Sequence, residues 1–396
     1  MTRIAFVVQR YGSDIIGGSE WYARIIAEKL VAQKGYKVEV FTTTAKDYIT
    51  WSHAYGEGMT HLNGVTIRRF KAQKERDLKK FNIMSKLALP VIRACNFVPP
   101  FRRLGWVIEA LFLKMQGPYC PNLVHTLEKE VDRFDRIYFM TYLYYPTVYG
   151  LAKVAKKAIL IPTAHHEPPF FFQHVKRLLE KAPLILANTV PEKELIQKRL
   201  QGVGDKIRLA GIGLNLPKML EGGGKEGASA LTRKPYILYL GRINKAKGVG
   251  KLISMFQEYR SSYEGLRLVL AGHKDDSFVI PDDEGISYLG FVSEEEKYKL
   301  IKGAMCLVNP SPLESLSIIV VEAMMLKVPV IVNGECKVLD YYAQKTGSVF
   351  SYFDKKGFLG CLQKLSLDRP KDGVLEATKD WAKTEFSWQR VLSVFS

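Results

Sequence analysis

Short runs of apolar residues alternate with longer amphipathic stretches along most of the chain, which predicts strands separated by helices. Near-continuous apolar runs of this length are typical of parallel strands that helices cover on both faces. The predicted strands of a first series are 4–8, 38–43, 136–140, 158–162 and 184–188. Those of a second series are 236–241, 266–272, 286–291, 304–310 and 328–333. Because the series occurs twice, we expect an α/β fold with two doubly wound domains that face each other across a cleft.

Two segments interrupt this alternation. Residues 214–235 are rich in glycine and poor in apolar periodicity, which predicts a linker between a domain at 1–213 and a domain at 236–380. Residues 76–120 are basic and aromatic and contain four prolines, which predicts an insertion with two short helices.

The composition is that of an ordinary globular protein, since 47% of the 396 residues are apolar and 25% are charged. No apolar run approaches the roughly 20 residues of a membrane-spanning helix, and the run 4–8 is too short for a secretory signal. We therefore expect a cytoplasmic protein. The five cysteines form no C-x-x-C pair, and the sequence has no H-E-x-x-H, clustered Cys/His or D-x-D motif. Reduced thiols are expected, and neither a metal nor another cofactor.

The formal net charge of +18 favours anionic partners such as nucleic acid, anionic lipid or phosphorylated substrates. Residues 68–114 hold twelve basic and three acidic side chains, which is half of the excess. The cations there alternate with large apolar residues, a pattern that suits a segment lying in the headgroup region of a bilayer. The cations expected to face the membrane are Lys79, Lys80, Arg102 and Arg103. The interleaved apolar residues are Phe81, Ile83, Met84, Leu87, Leu89, Phe97, Phe101, Trp106, Leu111 and Phe112. The alternative is that the aromatic side chains pack against the first domain and only the cations are exposed.

Two motifs follow strands of the second series. The segment G-R-I-N-K-A-K-G places Gly241, Arg242 and Lys247 at the carboxyl end of a parallel strand, where open α/β sheets bind ligands. Two cations there suit a diphosphate, with solvated surface cations as the alternative. Glu314 and Glu322 lie eight residues apart, on the loop and the helix that follow the strand at 304–310. A carboxylate on so apolar a helix needs a partner, which a ribose diol, a helix cap or a salt bridge could each supply.

Two further motifs follow strands of the first series. Gly17 and Gly18 precede a helical stretch, so the backbone could approach a ligand closely and the helix start could bind an anion. A plain strand-to-helix turn is the alternative. His165 and His166 end another strand, and one of them could face the cleft, although a strand-end histidine is often structural.

In this order, the paired glycines, the strand-end histidine, G-R-x4-K-G and E-x7-E resemble the retaining glycosyltransferases of family 4, which have the GT-B fold of two Rossmann-like domains. The resemblance covers essentially the whole chain. The tail at 381–396 is similar to the last helix of that family, which crosses back to the first domain.

The resemblance implies a nucleotide-diphospho-sugar held mainly by the second domain. It implies that Arg242 and Lys247 grip the diphosphate, Glu322 binds the ribose, and Glu314 contacts the donor sugar. The residues that would line the sugar with Gly241 are Ser315, Leu316, Ser317 and Ile318. Gly17 and Gly18 would approach the phosphate, and His165 would lie at the reacting side of the sugar.

Two departures from the family pattern are present. The family commonly has glycine at the positions of Ser315 and Ser317, and a His-Asp pair where this chain has His165 and His166. The second departure leaves open which histidine faces the donor. Without an acidic metal-binding motif, the cations would have to stabilise the leaving diphosphate. The resemblance implies front-face transfer with retention to a glycan or lipid-linked acceptor, as in cell-surface polysaccharide or glycolipid synthesis.

Other functions are also compatible with the sequence. A sugar-nucleotide epimerase or a phosphorylase could use the same fold. A nucleic-acid-binding protein would explain the charge, but no DNA- or RNA-binding motif occurs, so we expect no nucleic-acid partner.

Overall fold

The computed structural model describes residues 1–15, 17–201, 205–217, 234–263 and 265–395. The chain divides into two compact units, the first formed by Met1–Ala210 with Leu392–Ser396 and the second by Gly211–Val391. Most of the linker predicted at 214–235, namely 218–233, lies outside the described residues.

The first unit is built on one eight-stranded sheet. Its strands are β1 Arg3–Val7, β2 Lys37–Thr43, β3 Gly58–Leu62, β4 Val65–Phe70, β5 Arg136–Met140, β6 Ala158–Ile161, β7 Leu184–Ala187 and β8 Ile207–Leu209. Its helices are α1 Gly18–Lys34, α2 Leu78–Phe97, α3 Arg102–Gln116, α4 Pro121–Lys129, α5 Tyr145–Gly150, α6 Gln173–Lys181 and α7 Val190–Leu200. The strand order is β3-β4-β2-β1-β5-β6-β7-β8, so the order reverses between β1 and β5. Only the β3–β4 pair is antiparallel among the described strand pairs of this sheet.

The second unit is built on a six-stranded sheet whose described strand pairs are all parallel. Its strands are β9 Tyr236–Leu240, β10 Arg267–Ala271, β11 Ile286–Tyr288, β12 Cys306–Asn309, β13 Val330–Asn333 and β14 Val349–Tyr352. Its helices are α8 Val249–Ser262, α9 Glu294–Gly303, α10 Ile318–Met325, α11 Lys337–Lys345, α12 Lys355–Leu367 and α13 Asp372–Glu385, followed by α14 Trp388–Val394. The order β11-β10-β9-β12-β13-β14 reverses between β9 and β12. The two sheets confirm the predicted α/β class.

The strands that the apolar pattern did not predict are β3, β4, β8 and β14. β3 is an edge strand whose residues are almost all exposed, so it has no apolar run to reveal it. In β4 buried and half-buried positions alternate, and Arg68 and Arg69 interrupt its apolar residues, so no continuous apolar run marks this strand. The strand β8 has three residues, too few to show a pattern.

The insertion at 76–120 contains two helices, as predicted, but α2 is not short. It has 20 residues and continues through Pro90. Within the described ranges, no helix has both the length and the apolar character needed to span a membrane.

The chain end differs from the single helix predicted at 381–396. α13 ends at Glu385, and Phe386 leaves the helix to bury its ring almost completely. A new helix, α14, then begins, with the Ser387 hydroxyl accepting from the backbone N–H of Arg390. In the first unit, the Phe395 ring stacks on Tyr138 at 5.0 Å between centroids.

Candidate functional site

Two loops meet at the reversal point of the second sheet. β9 and β12 are neighbours there, and the loops after them carry 241–248 and 310–317. Ligands of open α/β sheets bind at the carboxyl ends of strands at such a point. The loops touch at Gly248, whose φ is 75° and whose position leaves no room for a side chain, because a Cβ would lie 2.4 Å from the Pro310 carbonyl oxygen. The structure therefore brings both motifs of the second half to one place.

An ion pair joins the two loops. The Lys247 ammonium lies 2.7 Å from a Glu314 carboxylate oxygen, and the side chains are 25% and 17% exposed. Lys247 is held at its backbone as well, since its N–H donates to the Asn244 side chain at 2.9 Å. Arg242 is half-buried at the start of the same loop, where its carbonyl accepts from the Tyr239 hydroxyl at 2.6 Å. A cation and a carboxylate are thus fixed side by side at the sheet edge.

The start of α10 lies directly beyond this pair. Ser317 precedes the first helical residue, Ile318, and has a left-handed backbone with φ of 61°. This conformation explains why glycine is common at this position, and Ser317 gains a compensating bond, since its hydroxyl accepts from Asn309 at 2.8 Å. The Leu316 carbonyl accepts from the Tyr342 hydroxyl at 2.7 Å, and Ser315 is half-buried. The free N–H groups of a helix start can bind an anion or sugar hydroxyls.

Glu322 lies one turn inside α10 and is almost completely buried. One of its carboxylate oxygens accepts from the Lys297 ammonium at 2.8 Å and from the Tyr298 hydroxyl at 2.9 Å. Burial raises the pKa of Glu322, while Lys297 and Tyr298 act in the opposite direction. The salt bridge that the sequence left open as an alternative is therefore present, and it fixes the carboxylate for a further donor.

In the first unit, Gly17 and Gly18 lie where β1 leads into α1. The Glu20 carboxylate occupies this helix start, where it accepts from Arg10 at 2.6 Å and from the Ser19 hydroxyl at 2.8 Å. A Cβ at Gly17 would lie 2.4 Å from Glu20, whereas a Cβ at Gly18 would meet nothing within 4 Å. A side chain at Gly17 would therefore push the Glu20 carboxylate and Arg10 from their present positions.

The predicted histidines lie on the loop after β6. His165 is half-buried and His166 is exposed, with its ring 5.0 Å from that of Phe171. Beneath the loop, the fully buried Glu192 accepts from the backbone N–H of Ala164 at 2.5 Å. No group of three or more His, Cys, Asp or Glu side chains suited to a metal ion is found among the described residues.

Lys79, Lys80, Arg102 and Arg103 are all exposed on α2 and α3. The interleaved apolar residues divide between the surface and the core, so the alternative that aromatic side chains pack against the first domain holds for some of them. Phe112 is buried in the core, and Phe81, Met84 and Leu89 pack against it. The Trp106 ring stacks on His174 at 3.5 Å. The side chain of Phe97 lies outside the described residues.

Sequence reasoning missed the partners of the predicted residues: Lys297, Tyr298, Asn309 and Glu192. The first two follow the helix-start pattern Ser293-x-x-Glu296, which sets where α9 begins. Glu192 belongs to a similar pattern, Thr189-x-x-Glu192, but no local signal shows that its carboxylate reaches another loop.

Residues 225–379 match the family model described as "Glycosyl transferases group 1". No curated protein is significantly similar to the chain in sequence.

Solved glycosyltransferase structures match the whole chain. Sucrose-phosphate synthase from Thermosynechococcus elongatus has a TM-score of 0.67 at 16% identity, covering 100% of this chain and 98% of its own. Anabaena HepE in complex with UDP and glucose has a TM-score of 0.64 at 13% identity, covering 100% and 98%. The trehalose 6-phosphate synthase of Burkholderia multivorans has a TM-score of 0.68 at 12% identity, covering 100% and 97%. The chain therefore has the GT-B fold.

Proposed function

We propose that this chain transfers a sugar from a nucleotide sugar with retention and without a metal, because residues 225–379 match the family model of group 1 glycosyl transferases. The donor is a nucleotide-diphospho-hexose, and the acceptor is a glycan or a lipid-linked glycan at the cytoplasmic face of an anionic membrane. Such transfers build cell-surface polysaccharides and glycolipids. Assignment to family 4 within the GT-B enzymes is part of this proposal.

The observation that carries the proposal is the pair Lys247–Glu314 at the reversal point of the second sheet. The cation suits a diphosphate, and Arg242 on the same loop can add a bidentate contact. The carboxylate beside it can accept hydrogen bonds from the hydroxyl groups of a sugar. The N–H groups at the start of α10, near Leu316 and Ile318, complete a surface that takes phosphate and sugar together.

Glu322 is proposed to bind the ribose. Lys297 and Tyr298 already donate to one carboxylate oxygen, so the group is held in one orientation. A ribose diol needs such a fixed acceptor, as the acidic residues of dinucleotide sites show. The sugar nucleotide would therefore lie between the Lys247–Glu314 pair and Glu322.

The chemical step replaces the bond from the anomeric carbon to the phosphate oxygen by a bond to the acceptor oxygen on the same face. The acceptor proton passes to the departing phosphate oxygen, so no protein base is consumed. Arg242 and Lys247 stabilise the charge that grows on the leaving diphosphate. His165 is proposed to contact the donor sugar near this carbon.

The test uses Arg242→Ala and Lys247→Ala, with UDP-glucose as the first donor probe. Each variant should lower kcat roughly 100-fold or more, because each cation acts on charge of the transition state. The matched control is Lys245→Ala, an exposed lysine on the same loop, which should stay within about twofold. Inverted product stereochemistry, or activity lost to a chelator and restored by manganese, would contradict the mechanism. Epimer or sugar phosphate formed from donor alone would favour the alternative enzymes.

The membrane proposal rests on the exposed face of α2 and α3, which pack against each other. The apolar side chains on this face recur at helical spacing. On α2 they are Ile83, Leu87 and Val91, and on α3 they are Leu104, Val107 and Leu111, exposed by between 43% and 65%. Phe101, between the helices, is 54% exposed. Contiguous exposed apolar groups of this kind mark an interaction surface.

The charge beside this face selects an anionic bilayer as the partner. Seven cations and one acidic residue lie in 78–116, and that residue, Glu109, is fully buried against His174. Each basic residue near an anionic surface contributes about 1 kcal/mol at modest salt. The pair of helices α2 and α3, called the hairpin below, would lie in the headgroup region with its exposed apolar side chains inserted.

Liposome flotation tests this part. The protein should float with anionic vesicles at low salt and much less with neutral vesicles. Flotation should be lost when the four predicted cations are changed to glutamate: Lys79, Lys80, Arg102 and Arg103. The matched control makes the same charge change at four exposed cations of the second unit: Lys356, Arg369, Lys371 and Lys383. Equal loss in both variants would show a general charge effect and overturn the assignment to the hairpin.

A further inference from the structure

We propose that Glu192 is a positioning residue for sugar transfer, because it holds the loop that carries His165 in one conformation. The inference rests on the proposed function, in which that loop faces the donor sugar. Glu192 itself would touch neither donor nor acceptor. It would act through the backbone of Ala164, the residue next to His165.

Glu192 joins the ends of two neighbouring strands of the first sheet. It lies in the first turn of α7 and is 1% exposed. One carboxylate oxygen accepts from the Ala164 N–H at 2.5 Å, after β6, and the other from the Asn188 N–H at 2.7 Å, after β7. A buried carboxyl group whose two oxygens each accept a hydrogen bond from a backbone N–H is a directional tie. The loop after β6 is therefore fixed to the start of α7.

The loop needs such a tie because its backbone is strained. Thr163, immediately before Ala164, has φ of 50°, a left-handed conformation that β-branched residues rarely adopt. Strained residues persist only where the surrounding structure holds them, and they concentrate at functional sites. The Ala164–Glu192 bond lies at the next peptide and opposes relaxation of Thr163. Without it, the loop would turn to a more ordinary backbone and move His165.

Only a carboxylate satisfies both amide N–H groups. In Glu192→Gln, the side chain keeps its size but presents an NH2 group to one of the two donors. One buried N–H then loses its acceptor, while the volume of the core is unchanged. Glu192→Asp keeps two acceptor oxygens but is one methylene shorter. We expect it to disturb the loop less than Glu192→Gln, and mainly at the bond to Ala164.

Backbone hydrogen exchange tests the tie without requiring activity. In Glu192→Gln, amides of 163–167 should exchange at least 10-fold faster than in the wild type. The matched control is Glu109→Gln, since Glu109 is also fully buried and accepts from the N–H groups of Gln173 and His174. That variant should speed exchange at the start of α6 and leave 163–167 unchanged. Unchanged exchange at 163–167 in Glu192→Gln would overturn the proposal.

Kinetics test the positioning role. Glu192→Gln should lower kcat about 10-fold or more, while the dissociation constant for UDP-glucose stays within twofold. Adding Thr163→Gly to this variant should raise its kcat at least threefold, because glycine takes a positive φ without strain. A purely structural role of Glu192 would not give this rescue. The proposal is overturned if the double variant shows no rescue, or if Glu192→Gln alone keeps the wild-type kcat. If the wild type itself transfers no sugar, the proposed function fails, and the exchange experiment still decides whether Glu192 ties the loop.

Discussion

Two helices of this protein begin with the same sequence pattern and use it differently. At α9, the Ser293 hydroxyl accepts from the Glu296 N–H at 3.2 Å and the Glu296 carboxylate accepts from the Ser293 N–H at 3.0 Å. At α7, the Thr189 hydroxyl accepts from the Glu192 N–H at 3.3 Å, but the carboxylate reaches Asn188 and the loop after β6. The first glutamate is exposed and the second is fully buried.

The difference shows that the pattern fixes where a helix begins and not what its glutamate does. α9 starts on the surface, so its capping box closes on itself. The residues that follow, Lys297 and Tyr298, then reach Glu322. α7 starts in a buried position at the carboxyl end of β7, where the Glu192 carboxylate accepts from amide donors, one of them on a neighbouring loop. In both units a helix start thus supports a candidate site. At α9 the support comes from Lys297 and Tyr298, which follow the cap, and at α7 it comes from Glu192 in the cap itself.

The largest effect on stability is expected for Lys297→Ala. It leaves the buried Glu322 without its cation, and loss of one partner of a buried ion pair costs about 3 to 4 kcal/mol. The matched control is Lys299→Ala on the same helix, whose pair with Glu295 is exposed and should matter by less than about 0.5 kcal/mol. Urea unfolding of both variants measures the contrast. Equal free energies of unfolding would mean that Lys297 does not stabilise Glu322.

Most of the sheet framework is predictable from the apolar runs. β5 is predicted to the residue, and β1, β2, β6, β7, β9, β10, β12 and β13 to within two residues at either end. This succeeds because buried parallel strands consist almost entirely of apolar residues. It fails at β3, where an exposed edge strand has no such composition.

The candidate site is predictable only where a motif supplies its charges. Lys247 and Glu314 come from two separate motifs that the family resemblance assigned to one ligand, and the two side chains are in contact. Glu192 and Lys297 were not predictable, because their partners are distant in sequence: 28 residues from Ala164 and 25 from Glu322. Such pairs depend on tertiary packing, which local spacing does not encode.

The next largest effect is expected in the pH dependence of stability, which should differ between Glu192 and Glu296. Burial raises the pKa of Glu192 from the ordinary value of 4.5 to about 7. Between these values the folded state binds a proton that the unfolded state has released, so stability falls as pH rises, by about 3 kcal/mol in total. The free energy of unfolding of the wild type, relative to Glu192→Gln, should therefore fall between pH 5 and 7 and level off above it.

Glu296 provides the control for that experiment. Its bonds to Ser293 lower the pKa of Glu296, so the stability it contributes is lost only as pH falls below the ordinary glutamate range. Relative to Glu296→Gln, the wild type should show a flat profile between pH 5 and 8. Urea unfolding at four pH values measures both profiles, and a rising Glu192 profile would contradict the expected sign.

A smaller effect is expected at Ser317, the left-handed residue before α10. Ser317→Ala keeps the strain of a positive φ and removes the acceptor of Asn309, which should cost about 1 to 2 kcal/mol. Ser317→Gly loses the same bond but relieves the strain, so it should be about 1 kcal/mol more stable than the alanine variant. Thermal unfolding of both variants measures the difference. Equal stability of the two would show that the backbone at this helix start is not strained.

The smallest effect is expected at the α9 cap itself. Ser293→Ala removes the hydroxyl that accepts from the Glu296 N–H and should cost about 1 kcal/mol, whereas Ser293→Asn retains an acceptor and should stay within a few tenths. The helix would fray only at its first turn, so Lys297 and Tyr298 should still reach Glu322, and the dissociation constant for UDP-glucose should change less than twofold. A larger loss of donor affinity than of stability would mean that the α9 start acts on the site directly, unlike Glu192 in the first unit, which is proposed to act on kcat through the Ala164 backbone.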